Sequence, residues 1–205
     1  MSRKRNLILA VAALLLLPVF AGHASAGEPR THDGFFLHLS AGAGTANTEI
    51  DVPGGKTKFD GSTGDLNIAV GAIVAKNLAI HATVFGWLVS DPDIEVDSLG
   101  SGTANGDLDL TAYGAGLTYY FMPVNIYVSG SLGTGKLSFD SSSFGQSETD
   151  NGLVGELTVG KEWWLGGSWG MGVSGSFGFH SIPDGDVDEN WSGNSFALRL
   201  SVTMN

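Results

Sequence analysis

Two kinds of side chain in this 205-residue sequence could do chemistry: histidines next to hydroxyls, and carboxylates at close spacing. His180-Ser181 sets a base beside a hydroxyl, the start of an acyl-transfer site if a carboxylate orients the base within hydrogen-bond reach. The competing class is then a lipid A-modifying enzyme, in which such a pair attacks the lipid. Asp184, Asp186 and Asp188 place a carboxylate at every second residue, as an EF-hand calcium loop begins. The loop then fails, because its sixth position is Glu189 in place of Gly and its twelfth is Ser195 in place of Glu. His38 and His81 read as ordinary strand residues. With no Cys there is no thiolate or disulfide, and no Gly-x-Gly-x-x-Gly opens a helix to cradle phosphate. The sequence therefore predicts a non-enzyme with no cofactor and no dedicated metal site, whose surface carboxylates could take up divalent cations.

The positions of these residues depend on what the chain builds, and the first segment must be set aside. Ser2-Arg3-Lys4-Arg5 precedes an apolar run from Leu7 to Ala21, and Ala24-Ser25-Ala26 has the small-x-small form of a cleavage site. Residues 1–26 are thus expected to be a signal peptide, with 27–205 as a single domain. The apolar run falls short of the about 20 residues that an uncleaved spanning helix requires. Cleavage removes three basic residues and no acid, leaving seven bases against 21 acids and a net charge of about −14, which excludes nucleic acid as a partner.

From Gly34 onward the chain alternates apolar and small polar residues in eight segments: Gly34–Thr45, Asp65–Ala75, Leu78–Val89, Leu108–Phe121, Asn125–Phe139, Gly152–Trp164, Trp169–His180 and Asn194–Met204. In the last, Phe196, Leu198, Leu200, Val202 and Met204 oppose Ser195, Ala197, Arg199, Ser201 and Thr203. The third is undecided between Ile80 and Val84 on one face and Phe85, Trp87 and Val89 on the other. A soluble sandwich or lipocalin-type barrel would turn the bulky face inward. The opposite faces carry Gly, Ser, Thr, Ala and scattered charges, too small and polar for a dry core. The expected fold is therefore all-β, an eight-stranded antiparallel up-and-down transmembrane β-barrel with lipid outside and a polar filled interior. Connections alternate between long (46–64, 90–107, 140–151, 181–193) and short (76–77, 122–124, 165–168), as in outer-membrane barrels.

Aromatic residues gather at both ends of the segments, where amphipathic rings favour membrane interfaces. Phe35, Tyr119, Phe121, Trp163, Trp164 and Trp169 flank the inner turns. Trp87, Phe139, Phe177, Phe179, Trp191 and Phe196 lie towards the outer rim. Inward parity brings Glu156 and Arg199 into the lumen, where opposite charges should pair and help plug it. Seventeen of the 21 acids, Asp65 among them, are assigned to the long loops.

The stretches Gly114–Gly133 (GAGLTYYFMPVNIYVSGSLG) and Val159–Gly172 (VGKEWWLGGSWGMG) resemble small outer-membrane barrel proteins of the OmpA, OmpX and OmpW types. The resemblance implies a Gram-negative outer membrane, insertion by the barrel-assembly machinery, and lipid and lipopolysaccharide as neighbours. Such proteins usually end in an aromatic residue, whereas this chain ends Val202-Thr203-Met204-Asn205. The expected role is structural or surface-interacting through acidic extracellular loops. The alternative is a passive channel for small or apolar solutes, which the OmpW-like resemblance would suggest.

Overall fold

The computed structural model describes residues 32–204 apart from 53–54, 98, 142–144 and 186; the expected signal peptide and the mature start at Gly27 lie outside the described residues. Eleven strands follow in order: β1 (Phe35–Val52), β2 (Gly55–Ala75), β3 (Leu78–Ser90), β4 (Asp93–Val96), β5 (Gly100–Thr103), β6 (Asp107–Phe121), β7 (Ile126–Ser141), β8 (Gly145–Glu148), β9 (Gly152–Trp164), β10 (Trp169–Pro183) and β11 (Asn190–Met204). Eight are long, and each of these pairs antiparallel with the long strand before and after it. Pairing of β1 with β11, from Leu37 opposite Met204 to Glu49 opposite Ser192, closes the ring. Closure leaves none of the eight long strands as a free edge. The short strands β4, β5 and β8 lie at one end, as extensions of the β3–β6 and β7–β9 connections.

The short turns lie at the other end, and two of them use asparagine where the backbone turns left-handed. Asn77 has φ 62° and Asn125 φ 54°, a conformation this side chain tolerates better than most. Both also hold the chain that enters β1. The Asn77 carboxamide oxygen accepts from the His32 backbone N–H at 3.4 Å, and the Asn125 Oδ1 lies 2.8 Å from His32 Nε2.

Alternation along each strand puts the bulky face outside. Leu198 is 77 % exposed and Leu200 58 %, with Val70, Val74, Ile80, Leu132, Val159 and Val173 exposed around the same band. A continuous apolar surface of this kind has to be covered by something other than water. Facing neighbours on β1 and β11 show the two sides of the sheet: Ala43 opposes Leu198 outside, and Ser40 opposes Ser201 inside.

Three expectations need correction. The first predicted loop, 46–64, is mostly hairpin, because β1 continues to Val52 and pairs with β2 as far as Val52 opposite Gly55. Its period of two never stops. Ala46, Thr48 and Ile50 are buried inside while Asn47, Glu49 and Asp51 face out, so the charges that resemble a loop signal lie on the outer face of a strand. Second, the interior is not uniformly small and polar. β3 turns Phe85, Trp87 and Val89 inward, and Phe36, Tyr120, Tyr127, Leu108, Leu110, Leu137 and Ile182 join them. An eight-stranded lumen is wide enough to need filling, and small residues alone would leave voids. Third, Trp87 and Trp164 are not interface rings. Trp87 is lumenal, and Trp164 packs 4.9 Å from the His32 ring.

Candidate functional site: a closed lumen beneath an aromatic mouth

The lumen is filled in layers. Nearest the short turns, His32 stacks on Tyr120 at 3.6 Å, and Phe36, Ala69, Ala79, Tyr120 and Tyr127 form an apolar cluster. Against it lies Glu162, whose Oε1 accepts from Thr203 Oγ1 at 2.6 Å and from the Tyr120 hydroxyl at 3.3 Å. His38 Nδ1 is 2.8 Å from Thr203 Oγ1 and 3.6 Å from Glu162 Oε1, while His81 Nε2 is 3.0 Å from Thr118 Oγ1.

At mid-height Arg199 is 3 % exposed and crosses the axis. Its Nη1 donates to Glu156 Oε1 at 2.9 Å, Nη2 donates to Glu156 Oε2, and Nε donates to Asp65 Oδ1. Asn67 Nδ2 adds a bond to Glu156 Oε1 at 2.8 Å, and Thr83 reaches Asn67 Oδ1 at 3.4 Å. Two carboxylates on one guanidinium leave a formal charge of −1 in the centre of the barrel. Fork-to-carboxylate geometry makes this arrangement specific as well as strong.

Gly42 makes the span feasible. It faces Arg199 on one side and Asp65 on the other, so these three occupy adjacent strands at one level. A Cβ at Gly42 would lie 1.9 Å from the Leu198 carbonyl oxygen and 2.8 Å from Arg199 Cα, so no side chain fits in that lane. The sequence pairing of Glu156 with Arg199 omits Asp65, which is counted with the loop acids although it opens the second strand segment. The signal was present: Leu66 and Ile68 face out, so Asp65, Asn67 and Ala69 must face in.

Above this layer Ala46, Phe85, Trp87, Val89, Leu108, Leu110, Ala112, Leu137, Val154 and Ile182 form a second apolar cluster. His180 is buried beside it, with Nε2 2.9 Å from Thr48 Oγ1. Ser181, the next residue on the strand, points to the opposite face. The sheet therefore separates the base and hydroxyl that adjacency in sequence had suggested as a pair. Among the described residues no group of three His, Asp or Glu side chains gathers to hold a metal ion; Asp186 lies outside them.

The expected interface rings divide by parity. Phe35, Tyr119, Phe121, Trp163 and Trp169 are exposed on the outer face near the short turns, with Lys161 over the Trp163 ring at 5.5 Å. Phe177 and Phe196 pack on each other outside at 4.9 Å, and Phe179 is on the same face. Phe139 and Trp191 turn inward and, with Phe59, line the mouth above the second cluster. Around this rim Lys56 and Lys58 are paired with Glu49 and Asp60, and Lys136 with Glu148.

A closed up-and-down barrel with a greasy exterior and a polar-centred interior is the architecture of membrane-spanning β-barrels. No protein-family model matches the sequence, and no curated protein resembles it in sequence. Among solved structures, the crystal structure of Neisserial surface protein A covers 85 % of this chain and 99 % of that chain, with a TM-score of 0.55 and 14 % identity. The outer membrane protein OprG from Pseudomonas aeruginosa covers 85 % and 98 % at TM-score 0.47 and 16 % identity. The attachment invasion locus protein Ail of Yersinia pestis covers 83 % and 99 % at 0.45 and 15 %. The likeness to the Neisserial protein establishes the fold, that of a small outer-membrane β-barrel.

Proposed function

We propose that this chain is an integral outer-membrane barrel of a Gram-negative envelope, exported through the cleaved segment 1–26, that neither conducts solute nor catalyses. It acts through the acidic rim that its hairpins raise above the bilayer. The observation that carries this reading is the closed lumen: Arg199 with Asp65 and Glu156 at mid-height, between two apolar clusters. The ion cluster, read from sequence as the plug, is one layer of three. A passive channel would require all three to move together. The rim fits recognition because β1 and β2 continue their pairing to the tip at Val52 and Gly55, a stiff support for charged side chains. Neighbours in this setting are outer-membrane lipid and lipopolysaccharide, the assembly machinery during insertion, and divalent cations at the carboxylates.

Planar-bilayer recording of the purified full chain tests the reading. The expected trace shows no steady unitary conductance; reproducible open steps would overturn it. The non-enzymatic part is read separately, since expression should leave the lipid A mass spectrum unchanged.

A further inference from the structure

The upper apolar cluster is roofed by a cavity of about 220 Å³, smaller than the about 300–1,000 Å³ of sites for drug-sized ligands. Leu108 and Leu137 form its floor; Phe59, Phe139 and Trp191 supply the aromatic wall. The Phe59 centroid is 6.0 Å from that of Phe139 and 5.7 Å from that of Trp191, with ring planes inclined by 36° and 43°. The three rings thus meet at a tilt along the cavity wall instead of stacking flat on one another.

Charge on the lining decides what such a space can hold. Trp191 Nε1 donates to Asp184 Oδ2 at 2.7 Å, which fixes the indole by its edge and sets a carboxylate on the same wall. Aromatic faces carry negative quadrupole density and attract a cation within about 6 Å of the ring centre. A carboxylate beside them adds to that attraction and repels anions. Lys58 and Lys136, each next in sequence to a lining residue, are engaged by Asp60 and Glu148, and neither lines the cavity. A methylated ammonium suits this lining: it has no N–H donors that the rings would leave unsatisfied, and its methyl groups fit the leucine floor.

We propose that the mouth cavity bounded by Phe59, Phe139, Trp191 and Asp184 binds a small quaternary ammonium ion of the choline class. The inference rests on the rim being a recognition surface and adds the chemistry of the ligand. A neutral apolar solute would gain the rings and nothing from Asp184. Phosphocholine would bring its phosphate against Asp184 and Glu148.

Titration calorimetry on the full chain, refolded in a maltoside detergent that has no choline headgroup, tests this with choline, its neutral carbon isostere dimethylbutanol, and phosphocholine at matched ionic strength. Choline should bind saturably, with the other two at least roughly tenfold weaker, the scale of losing a partly desolvated cation–π contact. Trp191→Leu and Asp184→Asn should each weaken choline by a similar factor while heat-modifiable gel mobility is retained. If Trp191→Leu fails to fold, Phe139→Leu probes the same wall. No saturable heat, or equal binding of choline and the isostere, overturns the proposal. Binding of choline by a barrel that conducts would remove the closed-lumen reading alone, and a silent barrel that ignores choline would remove only the ammonium site.

Discussion

Replacing Arg199 by Met is the sharpest test of how the lumen is held. The change keeps an unbranched side chain and removes three donated bonds, two to Glu156 and one to Asp65. It leaves carboxylates that are 3 % and 6 % exposed facing each other without a cation. Glu156 retains Asn67 Nδ2, a neutral donor, so hydrogen bonding is only partly lost while the charge balance falls from −1 to −2. Breaking a buried pair from one side typically costs about 3–5 kcal/mol. At about 2 kcal/mol per molar urea that is a drop of roughly 2 M in the unfolding midpoint. The assay is urea unfolding of the refolded barrel, followed by tryptophan fluorescence and heat-modifiable mobility. Arg199→Met combined with Asp65→Asn and Glu156→Gln removes the stranded charge and should recover most of the loss. Wild-type stability in the single variant, or no recovery in the triple, would refute the claim that buried charge compensation holds the centre.

The membrane face is tested by Leu198→Arg, which should cost about 2–4 kcal/mol in lipid and reduce insertion into vesicles, whereas a water-facing site would tolerate it. Gly42→Val should abolish the folded gel species, because its Cβ meets the Leu198 carbonyl. Gly175→Ala should leave folding unchanged, since the new methyl meets only Leu198 Cδ2 at 3.9 Å. Shortening the β1–β2 hairpin by removing residues 48–59 leaves Asn47 and Asp60 as a two-residue turn and should retain folding in the membrane-facing part, because Leu37 through Ala46 still pair with β11 and Phe35 through Ala46 with β2; loss of all folded material would show that the rim is needed for closure.

Much of this protein was legible from one property of the sequence, its period of two. Phe196, Leu198 and Leu200 against Ser195, Ala197 and Arg199 determine which side chains share a face. The bulk of the first set against the polarity of the second determines that the barrel is turned inside out. Turn chemistry at Asn77 and the short connections set the strand count and the up-and-down order. Periodicity says nothing about how high a side chain sits or what lies across the axis, because both depend on how each strand is staggered against its neighbours. Only the tertiary structure brought Asp65 of β2 to Arg199 of β11 across the lane at Gly42. It also placed Trp87 among lumen residues and gathered Phe59, Phe139 and Trp191 from three strands over one cavity. Neighbours on a face follow from local backbone geometry, but partners across a closed barrel follow from closure itself, which couples residues more than a hundred positions apart.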